Sequence, residues 1–299
     1  MSNTNLSEIL EPGLNALFMK HYENHKKTQA FTKITSVVKS KSDRETYSWL
    51  TDSPSLREFT DERHINALSG SRYTLENKTW EATIAIEREI VEDDLYGQIQ
   101  LRIEDLASNA AKHKNRLVFE TLANGCSEKC FDGNTFFATN HKYTGKSTFK
   151  STQSNKNNLT LSGDNLKTSI SAMGRLRGTE GEYLCIRPNI LVVPTELEWT
   201  ARELVYSHSL GDSNSANPLY SSLEVIVSPY ITDQDSWYLL DCTGGLKPII
   251  LQERCKTEFT GLGRNSEEGF MRDLYLYGVR ARYNAGYSYW QLAYANIPD

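Results

Sequence analysis

No run of about 18 apolar residues occurs in this 299-residue chain, so no stretch of it reads as a membrane-spanning helix. An excess of positive charge is missing as well: 33 Lys and Arg stand against 38 Asp and Glu, a net −5 at neutral pH. A dedicated nucleic-acid binder relies on clustered bases that release counterions from phosphates, and this balance argues against one. It leaves room for a protein that sits near nucleic acid without gripping it. Cysteine is sparse, with five residues at 126, 130, 185, 242 and 255. An odd, scattered set predicts reduced thiols and no disulfide framework. The polar start MSNTNLSEIL lacks the basic and apolar regions of a secretory leader, and no internal repeat is evident. The expectation is a soluble, mildly acidic, intracellular protein, long enough to bury a core in one large domain or two.

Signatures of chemistry are equally scarce. No G-x-x-x-x-G-K-[ST] phosphate loop and no G-x-S-x-G nucleophile elbow is present, and Gly244-Gly245 and the GLG at 261–263 read as turns. Cys126-x-x-x-Cys130 with His141 supplies three soft ligands where structural zinc takes four, and no second pair completes the set. These thiols are expected to be buried or half-buried, and His64 and His141 to be hydrogen-bonding residues. Glu87, Glu89, Glu92, Asp93 and Asp94 could pose as paired carboxylates, but acids are expected on a strand's solvent face and at a helix start. No catalytic residue, cofactor or metal is therefore predicted.

The first forty residues read as an arm. Leu14, Leu17, Phe18 and Tyr22 follow Pro12-Gly13 at helical spacing, and a Lys- and Ser-rich strip comes next that is poor in large apolars. Such a segment packs against its own body or against a neighbour. Residues 72–76 and 79–90 flank Asn77-Lys78, and Trp80, Ala82, Ile84 and Ile86 alternate with polar or small residues. That pattern predicts a long two-stranded hairpin. Acids at 92–94 then open a helix with apolar or small residues from Leu95 to Thr121 at steps of three or four. The stripe breaks only where His113 or Lys114 falls, and Asn124-Gly125 stops it. About 30 residues at 1.5 Å each make a beam of roughly 45 Å.

Residues 144–164 read as a loop, and Asp164 or Asn165 as the cap of a helix ending at Gly178. YLCIRPNILVVP reads as two strands about a turn and TELEWTARELVYS as a helix. Strands are expected at 223–227, 237–241 and 247–251, and the aromatic tail reads as a closing strand or strand pair. Helices and strands mix without a regular βαβ rhythm, so the fold class is α+β.

The same residues resemble a known family, the major head subunit (gpT) of Mu-like phages and prophages. YSWLTDSPSLREFTDER (47–63) is similar to the family's Y-x-W-L-x-x-x-P-x-x-R-E-[WF] stretch, and LENKTWEATIAIEREIVEDDLYG (75–97) to its N-K-x-[WF]-E-x-T-I segment with an acidic helix start. FDGNTFFATNH (131–141) resembles D-G-x-x-F-F-x-T-x-H. RPNILVVPTELEWTARELVYS (187–207) and YGVRARYNAGYSYWQLAYAN (277–296) resemble two further stretches, in the same order.

The resemblance implies a major capsid protein of the Hong Kong 97-type fold. Its parts would be an N-terminal arm over 1–40, an extended E-loop and hairpin over 41–91, a peripheral domain with a spine helix over 92–182, an axial domain over 183–262, and return strands over 263–299. It implies hexamers and pentamers that close an icosahedral shell around double-stranded DNA without sequence-specific binding. A separate scaffolding protein, a portal and a decoration protein would be partners, with assembly in the bacterial host cytoplasm. On this basis Trp49, Arg57, Glu58, Phe59, Arg63 and Trp80 are expected at subunit contacts, the apolar ones lying across an adjacent copy and the charged ones at its rim. Two other outcomes are an encapsulin-like compartment of the same fold and an enzyme built on Cys126 or His141.

Overall fold

Leu14, Phe18 and Tyr22 recur every fourth residue, and all three are buried on one side of helix α1 (Leu6–Lys27). The helix starts ahead of Pro12 and runs through it, because one proline removes a single backbone donor that a long helix can forgo. The computed structural model describes residues 6–47, 72–92, 96–143, 149–209, 216–263 and 266–298. Through them the chain continues as α2 (Phe31–Ile34), β1 (Thr35–Lys39), β2 (Arg44–Tyr47), β3 (Tyr73–Glu76), β4 (Lys78–Glu87) and α3 (Arg88–Glu92). The expected beam is α4, Tyr96–Ala123, 28 residues long.

Ile99, Ile103, Leu106, Ala107 and Ala111 of α4 close over the α1 stripe in one core cluster, while Val118, Phe119 and Leu122 enter a second. One helix thus spans both cores. The Lys- and Ser-rich strip contributes more than its composition indicates. Phe31 and Ile34 are buried, and β1 joins a sheet.

After α4 come β5 (Lys156–Asn157), α5 (Gly163–Gly174), β6 (Ile190–Val193), α6 (Glu198–Tyr206), β7 (Glu224–Val227) and β8 (Trp237–Leu240). The chain finishes with β9 (Ile249–Leu262), α7 (Glu267–Arg272), β10 (Leu274–Tyr287) and β11 (Ala293–Asn296). Two sheets carry the architecture. The first has the order β1-β9-β10-β4, with α1 and α4 against one side. The second has the order β5-β11-β8-β6-β7. Its central strands β6 and β8 are buried on both faces, as the unbroken apolar runs ILVV and WYLL require. Helix α6 packs on β6 and β7 through Ala201 and Val205.

The hairpin expected between 72–76 and 79–90 is not formed. β3 pairs antiparallel with β2, from Arg44↔Glu76 to Tyr47↔Tyr73, and β4 pairs antiparallel with β10, from Leu274↔Glu87 to Tyr283↔Lys78. Only Asn77 separates β3 from β4, one residue short of the tightest common hairpin loop. Its N–H donates to Asp43 O and its Nδ2 to Ser40 Oγ and Ser42 O, which turns the chain from one sheet into the next. The hairpin with a built base is therefore β2–β3. Residues 48–71 between those strands lie outside the described residues, and with them Trp49, Arg57, Glu58, Phe59 and Arg63. This base lies against the first sheet, where Tyr47 Oη donates to Gln252 Oε1 at 2.7 Å. Tyr73 fits there because position 286 is glycine: an added Cβ would sit 2.6 Å from the Tyr73 hydroxyl.

Smaller departures have local causes. Helix α5 is capped by Ser162, whose hydroxyl accepts from Asn165 N–H, two residues before Asp164. It ends at Gly174 and not at Gly178. The first half of YLCIRPNILVVP is no strand, since Cys185 sits at φ +53 and Pro188 has no N–H to donate.

Candidate functional site

The loop after α4 carries FDGNTFFATNH, and its polar residues converge with Asn155 in a buried knot. His141 Nδ1 lies 2.6 Å from Asp132 Oδ2, and His141 Nε2 lies 3.0 Å from Asn155 Oδ1. The orientation of Asn155 is fixed by its other bonds. Nδ2 donates to the carbonyls of Phe136, Trp290 and Ala293, and Oδ1 accepts from Ala138 N–H. Both ring nitrogens of His141 therefore face oxygen atoms, one of a carboxylate and one of an amide. Trp290 stacks on that ring, with centroids 4.0 Å apart and planes 4° from parallel. His141 and Asn155 are wholly buried. Burial would raise the Asp132 carboxyl, but the hydrogen bond and charge of His141, the Cys130 thiol and Asn134 N–H outweigh it and leave it below the ordinary value.

The knot binds three distant stretches of chain: the loop at 130–141, the strip around 155 and the turn at 290–293. It is poorly made for catalysis. His141 has no free nitrogen with which to take a proton. Cys130 donates to Asp132 Oδ1 at 3.1 Å, and burial first, then the neighbouring carboxylate, push its thiol up. The ligand atoms that come together are those of Cys130, Asp132 and His141, within 4.8 Å of one another. Cys126 is not in that group. It lies on a cleft of about 470 Å³ whose lining, among the described residues, contains no histidine or carboxylate.

The cysteines differ in a way that can be measured. Cys185 is exposed, Cys130 is buried, and burial pushes the half-buried Cys242 up to about 12. Brief iodoacetamide treatment at neutral pH is expected to alkylate Cys185 first and to spare Cys130 and Cys242, as mass spectrometry of a digest would show. Rapid labelling of Cys130 in the folded protein would mean that the knot opens.

A second polar seam interrupts the α4 stripe. Lys114, 2% exposed, places Nζ 2.6 Å from Glu253 Oε1 and 4.8 Å from the centre of the Tyr283 ring. Next to it His113 Nδ1 meets Tyr283 Oη at 2.8 Å, and the Trp80 ring lies 4.3 Å from the His113 ring. Burial, then the charge of Arg116, lower His113. Trp80 also donates from Nε1 to Tyr283 O at 2.9 Å. Of the six expected contact residues, Trp80 alone falls among the described ones, and it is half-buried and engaged within its own chain.

A spine helix laid along a sheet, a two-stranded β2–β3 base lying against that sheet and a second, mostly buried sheet together define a subunit of the Hong Kong 97-type fold. The procapsid subunit of bacteriophage JBD30 matches all of this chain and 77% of its own length, with a TM-score of 0.60 at 25% identity. The sequence pattern of the Mu-like prophage major head subunit gpT matches residues 8–160, 156–231 and 232–298, and the chain belongs to that family. The FluMu prophage major head subunit of Haemophilus influenzae (strain Rd) is 30% identical over 286 residues. The major capsid protein of Escherichia phage Mu is 27% identical over 271. These matches cover 94% and 89% of this chain and 71% and 65% of the relatives, so it spans about two thirds of their length. The function is accordingly structural, that of a major capsid protein of a Mu-like phage, and the chain is not an enzyme. The encapsulin-like and Cys/His-enzyme alternatives are not favoured.

Proposed function

We propose that copies of this chain assemble, through hexamers and pentamers, into an icosahedral head that encloses double-stranded DNA. Assembly would take place in the bacterial host cytoplasm on a separate scaffolding protein, with a portal and a decoration protein as later partners. The family match over nearly the whole chain carries this reading. The net charge of −5 supports a wall that contains DNA and does not grip it. In this assignment residues 1–40 act as the arm, 41–91 as the E-loop region, 92–182 with 263–299 as the peripheral domain and 183–262 as the axial domain.

Residues 48–71 would reach across an adjacent copy, with Trp49 and Phe59 buried there and Arg57, Glu58 and Arg63 at the rim. Exposed rim pairs are each worth only about 0–1 kcal/mol. Repetition of a modest interface around a closed shell supplies the rest. Because β2 and β3 are already paired at the base, replacing residues 50–72 by a short Gly-Ser turn is expected to leave a folded subunit with a near-native melting temperature. That subunit should form no shells by sedimentation and negative-stain microscopy. Normal particles from it would overturn the role given to the loop.

A further inference from the structure

We propose that Cys130, Asp132 and His141 form a structural zinc site that closes the loop after α4 on itself. The inference goes beyond the capsid reading and does not depend on it. The thiol sulfur of Cys130, a carboxylate oxygen of Asp132 and a ring nitrogen of His141 lie within 4.8 Å of one another, the one such trio among the described residues. His141 is wholly buried, and Cys130 and the Asp132 side chain nearly so. A thiol, a carboxylate and an imidazole are the ligand types that zinc takes, whereas calcium and magnesium prefer oxygen alone.

The hydrogen bonds around the ring leave a conflict that a metal ion resolves. Asn155 Nδ2 donates to the carbonyls of Phe136, Trp290 and Ala293, which turns Oδ1 toward His141 Nε2 at 3.0 Å. On the other side of the ring, Nδ1 faces Asp132 Oδ2 at 2.6 Å. A neutral imidazole carries one hydrogen, so one of its two nitrogens then turns a lone pair on an oxygen. With zinc on Nδ1, the hydrogen sits on Nε2 and is donated to Asn155 Oδ1, and no lone pair is opposed. Metal-bound histidines are held in this way, by an outer acceptor on the second nitrogen. Trp290, stacked on the ring with centroids 4.0 Å apart, keeps the imidazole in that plane.

Charge and spacing agree with a divalent ion. A Cys130 thiolate and the Asp132 carboxylate cancel the two charges of zinc, so the buried centre carries no net charge. Neither Lys nor Arg pairs with any of the three among the described residues. Cys130 Sγ stands 3.1 Å from Asp132 Oδ1, and His141 Nδ1 stands 2.6 Å from Asp132 Oδ2. Ligand atoms around a tetrahedral zinc are roughly 3.3–3.6 Å apart, so the trio needs to open by less than about 1 Å. The Asn134 side-chain amide, 3.4 Å from Asp132 Oδ2, can supply a fourth oxygen when turned over. As the sulfur–zinc bond forms, the Cys130 proton leaves to solvent, so affinity falls as pH falls.

The test is metal analysis and cobalt substitution of the full chain. Protein expressed with zinc in the medium and purified without chelator is expected to hold about one zinc per chain. Cys126→Ser, outside the trio, should hold as much, and Cys130→Ser and Asp132→Asn about a tenth of it or less. Cobalt added to chelator-treated wild type should give tetrahedral visible bands and a thiolate charge-transfer band that Cys130→Ser lacks. Zinc should also raise the melting temperature of the chelator-treated wild type in step with its free concentration. That reading involves no variant, so a misfolded Cys130→Ser cannot imitate it. Wild-type protein with no more zinc than Cys130→Ser, cobalt without the thiolate band, or zinc lost with Cys126→Ser would each overturn the site. Shell formation enters none of these readings, so the capsid function stands or falls separately.

Discussion

His141→Ala is expected to destabilise the subunit by about 3–5 kcal/mol, the range found when one partner of a buried ion pair is removed. The substitution leaves the Asp132 carboxylate 6% exposed and facing only the Asn134 N–H and side-chain amide and the Cys130 thiol. It also takes the donor from Asn155 Oδ1 and the stacked ring from Trp290. Folded domains keep only about 5–15 kcal/mol in total, so the variant should lose soluble yield and unfold at much lower urea. Asp132→Asn isolates the charge. The folded carboxyl is held below its ordinary value of 3.8, so its contribution is complete above that value and is lost as pH falls through the lowered one. Wild-type stability should decline on that acid limb, and the Asn variant should be flatter there. A loss below about 1 kcal/mol for His141→Ala would mean that packing alone holds the three stretches together.

The long helix was legible because its signal is local. A stripe at steps of three or four with an Asn-Gly stop needs no knowledge of the partner, and α4 falls within two or three residues of the expected span. Strand β4 shows the boundary of that method. Alternation put Trp80, Ala82, Ile84 and Ile86 on one face, of which Ile86 is buried, Trp80 and Ile84 are half-buried and Ala82 is exposed, yet alternation carries no information about which strand lies alongside. The neighbour proved to be β10, almost two hundred residues away, while the adjacent β3 paired elsewhere. Polar centres were the least visible. Asn155 lies in a Ser- and Asn-rich strip with the composition of a loop, and only the five hydrogen bonds of its side chain reveal it as a hub. Cys126, Cys130 and His141 are near one another in sequence, but in space Asp132, not Cys126, joins Cys130 and His141. The resemblance to the capsid family carried the function, because nothing in a shell subunit's chemistry has to be spelled out by a short catalytic motif.

The break in the α4 stripe leads to the second large effect, Lys114→Ala. Lys114 occupies a core position between Ala111 and Val118, and its ammonium reaches Glu253 with both groups largely out of water. Removing the lysine strands the Glu253 carboxylate, 18% exposed, beneath the helix and should again cost about 3–5 kcal/mol. Lys114→Met with Glu253→Gln should recover most of that loss, because neither charge is then left without its partner. The exposed pair Lys33–Glu224 provides the contrast, with side chains 53% and 45% exposed. Breaking it should change stability by about 0–1 kcal/mol, less in high salt, whereas the Lys114 effect should persist there. A buried charge inside an otherwise apolar stripe also fixes where the helix sits. Sliding α4 by one turn, about 5.4 Å, would carry Lys114 away from Glu253 and the Tyr283 ring while its apolar neighbours still found apolar surface. If the pair sets that register, the Met/Gln variant should regain stability yet show broadened resonances or faster hydrogen exchange along α4. Native exchange in the double variant would assign the register to packing, and a single variant as stable as the wild type would remove the pair from the account of the spine altogether.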